Sequence, residues 1–332
     1  MGGRRRSRLR PLRRLLRRAG LRLLPPAFGL LGRLGLRGAD RLGRALGRAA
    51  FHLSGRLRGQ ALRHLGIAFG GKMGDAELVR TARGSFELFA AAMFEWLVLC
   101  RFGKHRAAAA VRSVTGFEHV EAARKAGRGP IFVTPHFGLF ELMPVTITLR
   151  GMEGKVVGRQ HDDRDLDGLL TEMRRAMGVE TVFQHQAREM VRVLRAGRGL
   201  GILPDQDIDK LPGIFVPFFG REAYTPTGPA SLAVTTGAPI LPAFLFRDGP
   251  GRHRLVIHPP IEDPGGGDRD ERIRALTRGW CRVFEREIAA APEHWAWVHR
   301  RWETTPEALA RRRARRVKRE GRAGSAGGEA GA

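Results

Sequence analysis

Beyond residue 112, short apolar runs alternate with segments of helical period, and this alternation constrains the fold of the 332-residue chain most. Strands are expected at 130–134, 154–159, 180–183, 199–204, 240–246 and 255–257. Helices are expected between and after them at 139–149, 165–177, 188–196, 229–236 and 268–290. Such alternation predicts an α/β architecture with a mostly parallel central sheet flanked by helices, because parallel strands need crossovers that cover the sheet faces. Ahead of it, residues 40–112 repeat apolar side chains every three or four positions, which predicts an N-terminal helical layer. Within that layer Phe86, Phe89, Met93 and Phe94 fit either plain core or the wall of an apolar groove.

The formal charge of +26 is concentrated at the two ends. Residues 1–66 carry eighteen arginines against Asp40 alone, and 307–332 carry eight Arg and Lys against three Glu. These ends hold almost no aromatic side chains for stacking on bases, so no nucleic-acid partner is expected. Leucines at 9, 12, 15, 16, 21, 23 and 24 interleave with arginine, a pattern suited to an anionic membrane surface. The expected organisation is therefore a basic amphipathic membrane-surface segment at 1–39, a helical region at 40–112, a catalytic α/β domain at 113–305 and a basic disordered tail at 306–332. No apolar stretch reaches the roughly 18 residues a spanning helix needs. Cys100 and Cys281 stand in no metal or disulfide pattern and are expected to be buried, reduced thiols.

The strand at 130–134 leads through Pro135 to His136, and Glu141 follows five residues later. His136 is expected near a helix N-terminus with Glu141 about one turn in. There a neutral imidazole can take a proton from a hydroxyl while the carboxylate holds its tautomer. The same spacing also fits a capping histidine with a solvated glutamate.

Arg159 ends the next strand, where it would offer positive charge to a developing oxyanion, or would be a surface arginine. Asp205, Gln206 and Asp207 follow the strand at 199–204, where α/β enzymes place side chains that handle ligands. They are read as hydrogen-bonding groups that position His136 or Arg159, since no third metal ligand has convincing spacing. His161, Asp162 and Asp163 make an equally weak metal motif. Phe215, Phe218 and Phe219 with Gly220 and Arg221 combine an apolar wall with a cation, while Thr225, Thr227 and Gly228 open a helix whose N-terminus favours an anion. Nucleophile-elbow, Walker and dinucleotide fingerprints do not occur in the right setting, so neither a cofactor nor a metal is expected.

Taken in order, the blocks at 131–141, 203–207, 213–221, 225–229 and 237–242 resemble those of the glycerolipid acyltransferase superfamily. The block at 292–302 is similar, more narrowly, to the closing block of the lipid A biosynthesis acyltransferases. The resemblance covers residues 55 to 305 or so and rests on the order and spacing of several blocks. It implies a glycerolipid acyltransferase-like fold with His136, Glu141, Arg159 and Asp205 as catalytic residues, and Arg159 stands where the family keeps an arginine. The sequence 158–163 departs from the family's Pro and Asn-Pro continuation, which leaves the acceptor open.

What the resemblance implies is O-acyl transfer from a thioester, acyl carrier protein or acyl-CoA, to a hydroxyl of an anionic glycolipid such as a lipid A precursor. Its implied place is the cytoplasmic face of the inner membrane, at the surface. A lysophospholipid or phosphatidylinositol mannoside is the alternative acceptor, and a non-catalytic membrane-binding protein is the alternative class.

Overall fold

A computed structural model of the chain describes residues 33–159, 164–312 and 314. The amphipathic pattern of residues 9–24, the His161-Asp162-Asp163 motif and most of the basic tail lie outside the described residues.

The chain begins with a helical layer: α1 (33–53), α2 (Gly55–Phe69), α3 (Asp75–Phe102) and α4 (Lys104–Ala108). Then follow β1 (Val111–Thr115), α5 (Phe117–Lys125), β2 (Ile131–Val133), α6 (Leu142–Leu149), β3 (Gly154–Gly158), α7 (Arg164–Ala176), β4 (Glu180–Phe183), α8 (Ala187–Arg195) and β5 (Gly199–Ile202). The rest comprises a hairpin, β6 (Gly213–Phe218) and β7 (Arg221–Pro226), then α9 (Gly228–Thr236), β8 (Ile240–Gly249), β9 (Arg252–Ile257), α10 (Arg269–Ala290), a 3-10 turn at Pro292–His294 and α11 (306–312).

Seven strands form the main sheet in the order β1-β9-β8-β2-β5-β3-β4. The β8-β9 pair is antiparallel and all its other neighbours are parallel, so the expected α/β class with a mostly parallel sheet is the observed one. Central β2 is buried on both faces, between β5 and β8, which is why Ile131-Phe132-Val133 reads as a continuous apolar run. The amphipathic α8 turns Met190, Val193 and Leu194 inward and leaves its arginines to solvent. Asp268 caps α10, its carboxylate accepting the Asp270 N–H at 3.1 Å.

The helical layer is tied to the sheet by buried charge. Glu95 of α3 accepts hydrogen bonds from Arg247 of β8 at 2.7 Å, from the Gly251 N–H at 2.5 Å and from the His253 ring of β9 at 3.0 Å. Arg247 also reaches Asp40 of α1 at 2.9 Å. Burial pushes the Glu95 carboxyl up, but His253, Arg247 and the Gly251 N–H together hold it below its ordinary value.

Several features differ from the sequence-based expectations, among them β1 and α5, where neither strand nor helix was expected. Helix α1 runs unbroken through position 40, where a new segment was expected. Residues 306–312 are helical where a disordered tail was expected, since Leu309 is buried and Arg312 pairs with Asp209. The β6-β7 hairpin was missed because Pro217 and Pro226 make poor strand residues, and they are tolerated on a two-stranded ribbon that leaves Pro217 exposed.

Candidate active site

His136 lies on an irregular turn beyond the C-terminal end of β2. Gly138 has φ 56°, and a Cβ there would collide with the Leu245 carbonyl. The turn is held down on the closing block: the Gly138 N–H donates to the His294 carbonyl at 2.9 Å and the Ala296 N–H to the His136 carbonyl at 3.1 Å. This bridging delays the helix to Leu142, so Glu141 sits at its N-cap rather than one turn inside.

The carboxylate that meets His136 is Asp205. Its Oδ1 lies 2.8 Å from His136 Nδ1, and its Oδ2 accepts the His136 backbone N–H and the Trp295 indole N–H, each at 3.0 Å. Asp205 is buried; burial pushes its carboxyl up, yet the charge and hydrogen bonds of His136 outweigh that and hold it far below the carboxylate range. An ionised carboxylate only accepts, so Nδ1 carries a proton, and in the neutral ring it is Nε2 that holds the lone pair. The side-chain nitrogen of Gln206 stands 3.4 Å from that Nε2.

Glu141 does not orient His136, contrary to the expectation from spacing. Arg174 of α7 holds it in a bidentate pair at 2.9 and 2.5 Å. Burial would lower the Arg174 pKa, and the bonds and charge of Glu141 outweigh that and raise it. His136, Glu141, Arg174, Gln206 and the exposed Arg159 all line one cleft of about 220 Å³.

Other candidates fall elsewhere. Asp207 is spent on structure: it accepts from the N–H groups of Glu303 and Thr304 and from the Thr304 hydroxyl. Phe218 is fully buried against Trp295, Trp302 and Arg301, so it is core rather than an acyl-chain wall. Phe219 packs on Phe69 and Trp297, Phe215 packs on Tyr224, and Gly220 and the exposed Arg221 form the hairpin end away from the cleft. Thr225 is buried with its hydroxyl on the Ala223 carbonyl. Thr227 and Gly228 do line a cavity, an apolar groove of about 370 Å³ that shares Val157, Gln184, Ile202, Leu203 and Ile208 with the cleft. A smaller apolar pocket of about 50 Å³ shares Phe140, Glu141, Val157, Arg174 and Leu203 with the cleft.

Sequence reasoning missed three site residues. Arg174 looks like any charge on an amphipathic helix, and Trp295 and His299 sit some ninety residues beyond Asp205, in a block whose spacing says nothing about its partner. The His299 ring lies 4.4 Å from that of His136, and its Nε2 is buried without a hydrogen-bond partner among the described residues. Burial first, and then the neighbouring His136, push its pKa down to about 4. Among the described residues no cluster of three or more His, Cys, Asp or Glu could hold a metal ion.

The model of a family described as bacterial lipid A biosynthesis acyltransferase matches residues 9–304. The chain belongs to this family. Like its relatives, this lipid A acyltransferase family member is an acyltransferase. It is 30% identical over 278 residues to a lipid A biosynthesis lauroyltransferase of Escherichia coli, a match covering 82% of this chain and 87% of that one. It is 29% identical over 196 residues to a phosphatidylinositol mannoside acyltransferase of Mycobacterium tuberculosis, covering 58% of this chain and 60% of that one. A lipid A biosynthesis palmitoleoyltransferase of Escherichia coli is 28% identical over 204 residues, with coverages of 58% and 62%.

Proposed function

We propose that this acyltransferase moves a fatty acyl chain from a thioester, on acyl carrier protein or coenzyme A, to a hydroxyl of an anionic glycolipid of the lipid A precursor type. One observation carries the reading: His136, its Nδ1 on buried Asp205, presents Nε2 to a cleft that continues into an apolar groove. The acceptor hydroxyl displaces Gln206 from Nε2 and gives up its proton there as its oxygen attacks the thioester carbonyl. Asp205 stabilises the imidazolium that forms, and Arg159 at the cleft faces the tetrahedral oxyanion. Collapse breaks the C–S bond, and the leaving sulfur takes the proton back from His136, giving ester and free thiol. Glu141, clamped by Arg174, positions the acceptor. The groove's volume falls within the range of small-ligand sites, and its apolar lining suits an acyl chain.

The acceptor class rests on the relatives named for lipid A, the first of them matched over most of both chains. The relative named for phosphatidylinositol mannoside supports that glycolipid as the second reading.

Surface attachment to the inner membrane, on its cytoplasmic side, belongs to the same proposal. Among the described residues no helix is long and apolar enough to cross a membrane. Helix α1 turns Ala39, Gly43, Gly47 and Phe51 inward, while Leu42, Leu46 and Leu53 are exposed in a stripe beside Arg37, Arg41 and Arg48. A leucine stripe flanked by arginines fits a bilayer interface with anionic headgroups.

The test is transfer from labelled acyl carrier protein and acyl-CoA to a lipid A precursor, lysophospholipids and a phosphatidylinositol mannoside. Acylation of a glycolipid by the wild type that is lost in His136→Ala is the expected result. Acylation that persists in His136→Ala would overturn the mechanism, and transfer to lysophospholipid alone would overturn the acceptor class.

A further inference from the structure

Gln206 stands between two buried carboxylates, Asp205 and Asp207. Asp205 accepts from His136 and from the Trp295 indole. Asp207 accepts the Thr304 hydroxyl at 2.6 Å and the N–H groups of Glu303 and Thr304 at 3.0 and 2.6 Å, while its own N–H donates to the Arg300 carbonyl at 2.9 Å. Hydrogen bonds to an ionised group are the strong ones, so residue 206 is pinned on both sides and its backbone has little freedom. From this mount the side chain lines the cleft, with its amide nitrogen 3.4 Å from His136 Nε2. A contact of that length is a weak hydrogen bond, which an entering hydroxyl displaces at small cost. The amide N–H it frees is then held beside the carbonyl that the hydroxyl attacks.

We propose that Gln206 is a catalytic residue, an oxyanion donor held ready by Asp205 and Asp207; the inference rests on the acyl transfer proposed above. As the acceptor oxygen bonds to the thioester carbon, its proton passes to His136 Nε2 and the carbonyl oxygen becomes the oxyanion. Gln206 donates an N–H to that oxygen without giving up its proton. Collapse restores the C=O bond, breaks the C–S bond and returns the proton from His136 to sulfur. A donor aimed where charge develops, on a fixed mount, needs no reorganisation in the transition state. Arg159 carries more charge but is exposed, where water screens it, so a half-buried amide complements it. The same arrangement gives Asp207, which does not line the cleft, a part in the chemistry as the positioning residue for Gln206.

The test measures kcat and KM of the full chain for Gln206→Met, Gln206→Glu, Asp207→Asn and the double variant Gln206→Met/Asp207→Asn. Gln206→Met should lower kcat by about 10²–10³-fold with KM nearly unchanged. Gln206→Glu, of the same shape but without the N–H, should fall at least as far, which guards against a packing defect. Asp207→Asn should lower kcat in the wild-type background and add nothing in Gln206→Met, whereas a merely structural Asp207 would cost the same in both. Calorimetry supplies a readout without turnover, using a long-chain trifluoromethyl ketone, which hydrates to a tetrahedral diol, and the matching methyl ketone, which stays trigonal. The wild type should prefer the diol, and Gln206→Met should bind the two alike. A glutamine that only covers the base competes with the acceptor, so unchanged or faster transfer by Gln206→Met would overturn the proposal, as would an undiminished ketone preference. Failure to acylate any acceptor, with the ketone preference present in the wild type and lost in Gln206→Met, would count against the proposed function and leave this inference standing.

Discussion

His136 and Asp205, sixty-nine residues apart, meet twice: ring Nδ1 on one carboxylate oxygen at 2.8 Å and backbone N–H on the other at 3.0 Å. The double contact fixes both the tautomer and the turn that carries it. Trp295 adds a third donor, so a carboxylate buried among aromatic side chains stays ionised and well partnered.

Arg247 is expected to be essential to the fold rather than to chemistry. Replacing it with Met leaves Glu95 buried with His253 and the Gly251 N–H but without its guanidinium, a change that costs about 3–5 kcal/mol when a buried pair is broken. Urea unfolding of Arg247→Met measures this; a loss below about 1 kcal/mol would show that the network is not formed as described.

Glu141 and Arg174 should behave as one unit. A double-mutant cycle with Glu141→Gln and Arg174→Gln is expected to give a coupling energy of at least about 1 kcal/mol in unfolding experiments. Additive effects would mean that the two side chains do not touch in solution.

His299 gives stability a specific pH dependence. Its pKa is about 4 in the folded chain against 6.5 for an ordinary histidine, so between those limits the unfolded state binds up to one more proton. Stability therefore falls as pH drops through that window. In His299→Gln the slope of unfolding free energy between pH 5 and 6 should shrink by about 1.4 kcal/mol per pH unit. An unchanged slope would show that His299 is not buried as a neutral ring.

The exposed stripe on α1 predicts membrane partition. With each leucine worth about 0.5–1 kcal/mol at a partly immersed site, the triple variant Leu42→Gln/Leu46→Gln/Leu53→Gln should bind anionic vesicles at least tenfold more weakly. Equal partition in a vesicle sedimentation assay would place the membrane contact elsewhere.

Much of this fold was legible in the sequence because local patterns wrote it: the buried run at 131–133 and the amphipathic α8 declare strand and helix by period alone. The site was legible only in part. His136 and Asp205 each stood out at a strand end, but their pairing depends on β2 and β5 being neighbours in the sheet, which is a tertiary fact. Glu141, close in sequence, suggested itself as the partner. The left-handed Gly138 and the bonds to the closing block turned it away, towards Arg174 on a helix that no spacing rule connects to it. Phe218 shows the converse: an aromatic residue beside a turn reads as a ligand wall until the tryptophans of the closing block bury it.

The central claim is that Asp205, not Glu141, holds His136, the histidine proposed as the base, and single-turnover acyl transfer by His136→Ala, Asp205→Asn, their double variant and Glu141→Gln tests it most directly. Asp205→Asn should slow transfer by about 10²–10⁴-fold, as His136→Ala does, and the double variant should be no slower than either, since the two groups act as one. Near wild-type transfer by Asp205→Asn, with the whole loss appearing in Glu141→Gln, would contradict it.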